Sequence, residues 1–524
     1  MNRHSVLIAS SLWFAFAIQA QAASCDSLRT LKLSDTTVTS AAEVAAGGFA
    51  PADEKWSAPL FKSLPAFCRV TATLKPSTDS DIRIEVWMPL TGWNKRLEAL
   101  GNGGFAGRIY HGILGEAILR GSAAVETDAG HEAGDTDARW ALGHPEKIAD
   151  WGWRAIHEMA AKAKAIVRAF YHSGPERSYF SGCSAGGRQG LMEAQRFPAD
   201  YDGILSGAPA NDWSALMASF GWEMLATEGD AYIPAAKLPA ISAAVLKACD
   251  SADGIRDGII NDPRSCHFDP EVMLCKQGDA ADCLTAPQIG ALKKIYAGPR
   301  TSKGKLIYPG LSPGGETGED GWINVTGMAP DKRVPAIFLT SFMANMVLND
   351  SNWDARSFNL DQDFALANQK QGRNLNATDP NLKAFRDRGG KLILYHGWSD
   401  PTIPGLGSIR YFETVRSTMG TAATDSFARL YMVPGMQHCG GGDAPDSFGQ
   451  FRAPFNPDPH QNILLELQEW VEKGSAPQEI IAAKLDRNGK PRMTRPLCPY
   501  PQVPKYKGSG DTNDAASFVC AALK

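Results

Sequence analysis

A serine becomes a nucleophile when the chain lifts its hydroxyl into reach of a substrate and a base takes its proton. Gly182-Cys183-Ser184-Ala185-Gly186 satisfies the pattern G-x-S-x-G. Before it, "RSYFSG" reads as a strand, and after it "GGRQGLMEAQRF" reads as a helix. A sharp strand-to-helix turn there presents Ser184, the small neighbours relieve crowding, and the helix N-terminus offers N–H groups to a developing oxyanion. The plainer alternative is a tight turn with an incidental serine.

The base should be a histidine held by a carboxylate, in the chain order serine, acid, histidine. His396, His438 and His460 follow the long irregular middle of the chain. His438 stands in "VPGMQHCGG", a loop after a strand, where a base belongs, whereas His396 ends a strand and His460 lies in a proline-rich stretch. "LILYHGWSDPTIP" places Asp400 a few residues past a strand end, either as the acid or as a turn residue before Pro401. Ser184, Asp400 and His438 together would perform acyl transfer. Cys183 precedes the serine and Cys439 follows the histidine. If Ser184 and His438 meet, these two cysteines come within disulfide reach; the alternative is two buried thiols.

These groups need a sheet to carry them. "IRIEVWMPL" alternates Ile82, Ile84, Val86 and Met88 with other residues, the period of a half-buried strand. "RLEALGNGGFAG" reads as a strand entering a glycine-rich loop, and "GSAAVETDAG" as a short strand ending at Asp128. From Trp151 to Tyr171 the period becomes helical, with Ile156, Met159, Ala163, Val167 and Phe170 on one face. "DGILSGAP", "GGKLILYHG" and "FARLYMVPG" read as further strands and "NILLELQEWVEKG" as an amphipathic helix. Alternating strands and helices predict an α/β sheet with helices on both faces. The pattern degrades over residues 211–382, which hold four cysteines, many Gly and Pro, and scattered aromatics. The expectation is one α/β domain, residues 23–210 and 383–524, interrupted by a cap at 211–382.

The N-terminus has the form of an export signal over residues 1–22. Arg3 and His4 precede an apolar run, and "AQA" at Ala20–Ala22 supplies small residues for cleavage. No later segment reaches a membrane-spanning length. Secretion or export to a periplasm makes the even number of cysteines, ten in all, suggest full pairing, although counting does not fix the partners. The formal net charge of −4, without a basic tail or helix face, argues against nucleic acid as a partner. There is no CxxC or HExxH and no sign of an organic cofactor.

"CDSADGIRDGIIND" spaces Asp250, Asp253 and Asp257 around Gly254 and Gly258. Oxygen ligands at short intervals around tight turns suit Ca2+, and a solvated acidic turn is the alternative. The stretch is not an EF-hand, because the spacing differs and the glutamate at loop position 12 is missing.

Together, "GCSAGGRQGLMEAQRFPADYDGILSGAPA", "YHGWSDPTIP" and "VPGMQHCGGG" resemble the tannase and feruloyl esterase family of secreted α/β-hydrolases. The resemblance extends over nearly the whole mature chain, including "NDSNWDARSFNLDQD" and "RPLCPYPQVPKYKGSGD". It implies an α/β-hydrolase sheet with a large inserted lid domain and a Cys-Ser-Asp-His-Cys arrangement. In that arrangement Ser184 is the nucleophile, Asp400 the acid and His438 the base. It places oxyanion donors on the backbone of Gly104 and Ala185. It implies the further pairs Cys25–Cys68, Cys249–Cys266, Cys275–Cys283 and Cys498–Cys520. It also implies a structural calcium held by Asp250, Asp253 and Asp257 with the carbonyls of Ile255 and Ile259.

The substrate expected from this resemblance is a small aromatic ester. Feruloyl esters come first, gallate esters second and the terephthalate monoester branch third. That branch has a glutamate where this chain has Ala185 and lacks the "NWDARSFNLDQD" segment, while Arg333 falls near its carboxylate-binding arginine. Lid aromatics that could stack on a phenolic ring are Trp213, Phe220, Trp222, Trp322, Phe338, Phe342 and Trp353. A calcium-bearing binding protein on an inactive hydrolase scaffold would be the reading from a different class. It predicts loss of a triad member, and none is lost at the matched positions.

Overall fold

The strands of the central sheet are β1 (Thr36–Val44), β2 (Phe67–Leu74), β3 (Ile82–Pro89), β4 (Arg96–Leu100), β5 (Ala123–Thr127), β6 (Arg177–Cys183), β7 (Gly203–Gly207), β8 (Lys391–Gly397) and β9 (Ala428–Val433). Their order across the sheet is β1-β2-β3-β5-β4-β6-β7-β8-β9. β1, β2, β3 and β5 pair antiparallel, and β5 through β9 pair parallel. This is the α/β-hydrolase architecture, seen in a computed structural model that describes residues 22–522 other than 319–320, 323–324, 327, 329–331 and 452. Apart from Ala22, the expected export segment lies outside the described residues.

The parallel strands are apolar at nearly every position because both faces are covered. In β8, Leu392 and Leu394 join one core while Ile393 and Tyr395 join the other. β9 repeats the division with Leu430 and Met432 against Tyr431 and Val433. The first core takes the helices Ala155–Tyr171, Ala185–Arg196 and Leu406–Met419, and the second takes His111–Leu119 and Ile463–Lys473.

β7 and β8 are direct neighbours, with Gly203 opposite Lys391 and Gly207 opposite Tyr395. The whole segment between Gly207 and Lys391 therefore leaves and re-enters the sheet at one seam. Its helices Trp213–Ala226, Val334–Phe342 and Leu360–Leu375 pack into the first core. A third core is built only from residues between Ile233 and Val325, and the bridges Cys249–Cys266 and Cys275–Cys283 fall in that stretch. Beyond β9 come two antiparallel pairs, Ile480–Leu485 with Pro491–Leu497 and Gln502–Tyr506 with Phe518–Ala522. Cys498–Cys520 and Cys25–Cys68 are also bridged.

Glu54 caps the helix His111–Leu119 across the chain. Its carboxylate accepts from the backbone N–H groups of His111 at 2.9 Å and Gly112 at 3.0 Å. The His111 ring lies 2.9 Å from Glu54 and 3.5 Å from Glu85. Burial alone would depress the imidazole. Its hydrogen bonds and charge contacts to Glu54 and Glu85 outweigh that and raise it from 6.5 to about 9. A raised folded-state value means the contribution is whole below about pH 6.5 and disappears as pH climbs through 9. After allowance for residual solvent contact we expect about 1–2 kcal/mol. Urea titrations between pH 6.5 and 10 should show that loss in the parent chain and a flatter profile in His111→Gln.

Candidate active site

The candidate catalytic residues stand at the carboxyl ends of parallel strands, where open α/β sheets form their ligand crevices. Ser184 follows β6 directly, Asp400 lies three residues past β8, His438 lies five past β9, and Gly104 lies four past β4. Parallel register sets Cys183 beside Gly207 and Gly397 beside Val433, so the loops that leave these strands converge.

Ser184 has φ 63° and ψ −121°, outside the ordinary basins for a side-chain-bearing residue. Its N–H donates to Gly207 O at 3.0 Å, and its carbonyl accepts from Ala210 N at 3.1 Å and Arg188 N at 3.1 Å. The helix Ala185–Arg196 begins with the next residue. Glycine at 182 is obligatory, since a Cβ there would sit 2.7 Å from the Gly186 carbonyl carbon. This strained elbow is held from both sides.

The acid and base loops are bonded to each other, with Ser399 N donating to Met436 O at 3.0 Å. His438 Nδ1 is 2.7 Å from Asp400 Oδ2. Asp400 Oδ1 accepts from Thr402 N at 2.8 Å and Ile403 N at 2.9 Å. Burial would raise this carboxyl, but the charge of His438 and hydrogen bonds from His396 and His438 hold it well below the usual carboxylate range. An ionised Asp400 accepts only, so His438 Nδ1 carries the proton and Nε2 keeps its lone pair. Cys183 and Cys439 are bridged, with Cα atoms 6.0 Å apart, and this clasp draws the loops of Ser184 and His438 together. His438 is partly exposed while Asp400 is sealed.

Gly104 has φ +48°, and a Cβ there would lie 2.3 Å from Asp135 O. The neighbouring Phe105 N donates to that same carbonyl at 2.7 Å. Sequence reasoning missed what anchors this loop. Asn102 N donates to Gln189 Oε1 at 3.0 Å, Gln189 Nε2 donates to Asn102 Oδ1 at 3.1 Å, and Asn102 Nδ2 reaches Thr127 O at 2.7 Å. All three residues are buried. The pair fastens the loop of Gly104 to the helix that begins after Ser184. The sequence signal for it is faint: a glutamine on a buried helix face among small residues.

His396 is also placed. It is fully buried, bonded to Ser408 Oγ at 2.7 Å and Ile403 O at 2.8 Å, with Nε2 3.3 Å from Asp400. It therefore supports the acid loop from within. His460 is exposed beside Glu466. Arg333 does not present its guanidinium. It is buried just before the helix Val334–Phe342, where its guanidinium lies over the Tyr232 ring and donates to Met328 O and to Thr227. Among the lid aromatics, Trp213, Phe220, Trp322 and Phe342 are core residues, whereas Trp353 lines a cavity of about 990 Å³ together with Met224, Thr340 and Arg356. Ser184, Asp400 and His438 do not line that cavity; His438 lines a separate space of about 400 Å³ with Gln450, Phe451 and Lys484.

In the acidic loop, Asp250 Oδ1 accepts from Gly258 N at 3.1 Å, and Asp257 Oδ2 accepts from Arg495 at 2.7 Å. Asp253 Oδ2 is buried with no hydrogen-bond donor. Burial, with the adjacent charges of Asp257 and Asp250, pushes this carboxyl up to about 6. Of the three carboxylates only Asp257 is paired with a guanidinium, so the loop is short of positive charge, and this donor set fits a hard cation.

Such a sheet and elbow define a hydrolase of the α/β class. The chain matches the family model for tannase and feruloyl esterase over residues 68–521. It is 41% identical to an uncharacterized esterase of Xanthomonas campestris pv. campestris, over 95% of this chain and 91% of that protein. It is 34% identical to a probable feruloyl esterase B-1 of Aspergillus terreus, over 86% of each. The crystal structure of feruloyl esterase B from Aspergillus oryzae superposes with a TM-score of 0.88 at 30% identity, covering 96% of this chain and all of that one (100%). The chain belongs to the tannase and feruloyl esterase family, and it is a carboxylic ester hydrolase.

Proposed function

We propose that this chain is an exported feruloyl esterase working through Ser184, His438 and Asp400. The observation that carries the reading is the Asp400–His438 pair at 2.7 Å, brought to the Ser184 elbow by the Cys183–Cys439 clasp. His438 Nε2 takes the Ser184 proton as Oγ attacks the ester carbonyl. Asp400 fixes the tautomer and stabilises the imidazolium. The N–H groups of Gly104 and Ala185 receive the oxyanion. His438 then protonates the departing alcohol, and water releases the phenolic acid by the same steps in reverse order of partners.

A hydroxycinnamate acyl group is favoured because the relatives matched at 30% identity or more over most of the chain include feruloyl esterases. Kinetics on methyl ferulate, methyl gallate and the mono-hydroxyethyl ester of terephthalate test it. The expected order of kcat/KM has ferulate first by at least tenfold. Cleavage of the gallate ester alone would make the enzyme a tannase instead.

Export is supported by five disulfides, which persist in oxidising compartments. Asp250, Asp253 and Asp257, with the Ile255 and Ile259 carbonyls, would hold a Ca2+ ion that stiffens the inserted segment and takes no part in the chemistry. Chelation with EGTA should lower the melting temperature by about 3 °C, corresponding to saturation near a hundredfold over Kd. Added Ca2+ should restore it, and Asp253→Asn should abolish the response.

A further inference from the structure

On the helix Ala155–Tyr171, at the far end of the helix Ala185–Arg196 and in the turn before β7, three unassigned polar side chains converge. His157, Glu193 and Asp200 each bring one ligand-type atom within 4.8 Å of the other two. His157 Nδ1 is hydrogen-bonded to Asp200 Oδ2 at 2.6 Å, and a metal ion held between them would take the place of that proton. Its ring stacks on Phe197 with centroids 3.8 Å apart and planes 13° apart, which fixes its orientation.

Glu193 is only 1% exposed, and neither of its carboxylate oxygens has a hydrogen-bond donor. Burial and the neighbouring Asp200 carboxyl push Glu193 well above the usual carboxylate range, and either a proton held against Asp200 or a bound cation relieves the cost of burying it. The Tyr201 hydroxyl is a separate observation. It is buried, has no hydrogen-bond partner, and lies within electrostatic reach of both Glu193 and Asp200. Lys164 lends charge to both carboxyls from a distance, its ammonium donating to the Asp200 backbone carbonyl and lying 5.8 Å from the Tyr201 ring centroid.

We infer that His157, Glu193 and Asp200 form a binding site for a divalent metal ion, Zn2+ being the ion best suited to one imidazole nitrogen and two carboxylate oxygens. His157 and Asp200 are partly exposed, at 32% and 14% of their side chains, which leaves a path from solvent. The ion bolts the helix that begins after Ser184 to the helix Ala155–Tyr171 and to the approach to β7. Its role is structural, and no chemistry passes through it.

The test uses the full chain stripped with EDTA and returned to Ca2+-containing buffer, so that the loop at Asp253 stays loaded. CoCl2 titration should show one ion per chain by visible ligand-field absorption, and ZnCl2 should displace it and raise the melting temperature. His157→Gln and Asp200→Asn should each weaken binding at least tenfold, whereas Asp253→Asn should leave it unchanged. Absence of stoichiometric Co2+ or Zn2+ binding would overturn the inference, as would undiminished binding in His157→Gln. A proton shared between Glu193 and Asp200 would also overturn it. That arrangement would appear as a Glu193→Gln protein more stable than the metal-free parent, with no Zn2+-dependent shift in either.

Discussion

Ser184→Ala should lower kcat on p-nitrophenyl acetate and methyl ferulate by about 10⁵-fold, with the melting temperature nearly unchanged. The large effect follows because, in the proposed mechanism, Ser184 Oγ is the atom that bonds to the acyl group. The small effect on stability has a backbone reason. Alanine bears the same Cβ as serine, so the strain at φ 63° is carried equally by both residues. His438→Ala should cost as much as Ser184→Ala, and the double variant little more, since the two act as one unit. Asp400→Asn should cost about 10⁴-fold, because an amide at that position can donate to Nδ1 and favours the wrong tautomer. Equal turnover by the parent and Ser184→Ala would remove the proposed mechanism.

Loss of the Cys183–Cys439 bridge should be the second large effect. The cysteines are 256 residues apart, and chain-entropy reasoning gives at most about 5 kcal/mol for closing so long a loop. In a chain of this size that corresponds to roughly 5 °C in melting temperature. A Cys183→Ala, Cys439→Ala double variant removes the bridge without leaving a stray thiol. Its kcat should fall 10- to 100-fold with KM nearly constant, because the bond sets the spacing of nucleophile and base and not the grip on substrate. A melting point lowered as expected with kcat untouched would make the bridge a purely global staple. Cys275–Cys283 spans only 8 residues and serves as the control, since its removal should leave kcat unaltered.

Much of this frame was readable from residue order. The run Leu392-Ile393-Leu394-Tyr395 announces a strand covered on both faces, and G-x-S-x-G between a strand and a helix announces the elbow. Other parts were not readable, for physical reasons. β1 is an edge strand with only Ala41 fully buried and its other positions half-exposed or exposed, so it carries a weak alternation signal. The terminal pairs Ile480–Leu485 with Pro491–Leu497 and Gln502–Tyr506 with Phe518–Ala522 are short hairpin-like pairs whose sequences, IIAAKL among them, show no strict alternation. The helix Trp213–Ala226 is buried on nearly all sides and shows no amphipathic period. The Asn102–Gln189 pair joins residues 87 apart in sequence, and no local pattern encodes a hydrogen bond at that separation.

The seam between β7 and β8 bears on how such enzymes diversify. Because Gly203–Gly207 and Lys391–Tyr395 hold one another by main-chain hydrogen bonds, the register of the sheet does not depend on the length of polypeptide looped out between them. The looped-out stretch carries an apolar nucleus between Ile233 and Val325 and two sulfur bridges, while its helices Trp213–Ala226, Val334–Phe342 and Leu360–Leu375 also join the first core. Ser399 Oγ donates to Gly314 O and Gln437 Nε2 to Thr317 O, so any exchange of this stretch must also restore the contacts that brace the loops of Asp400 and His438.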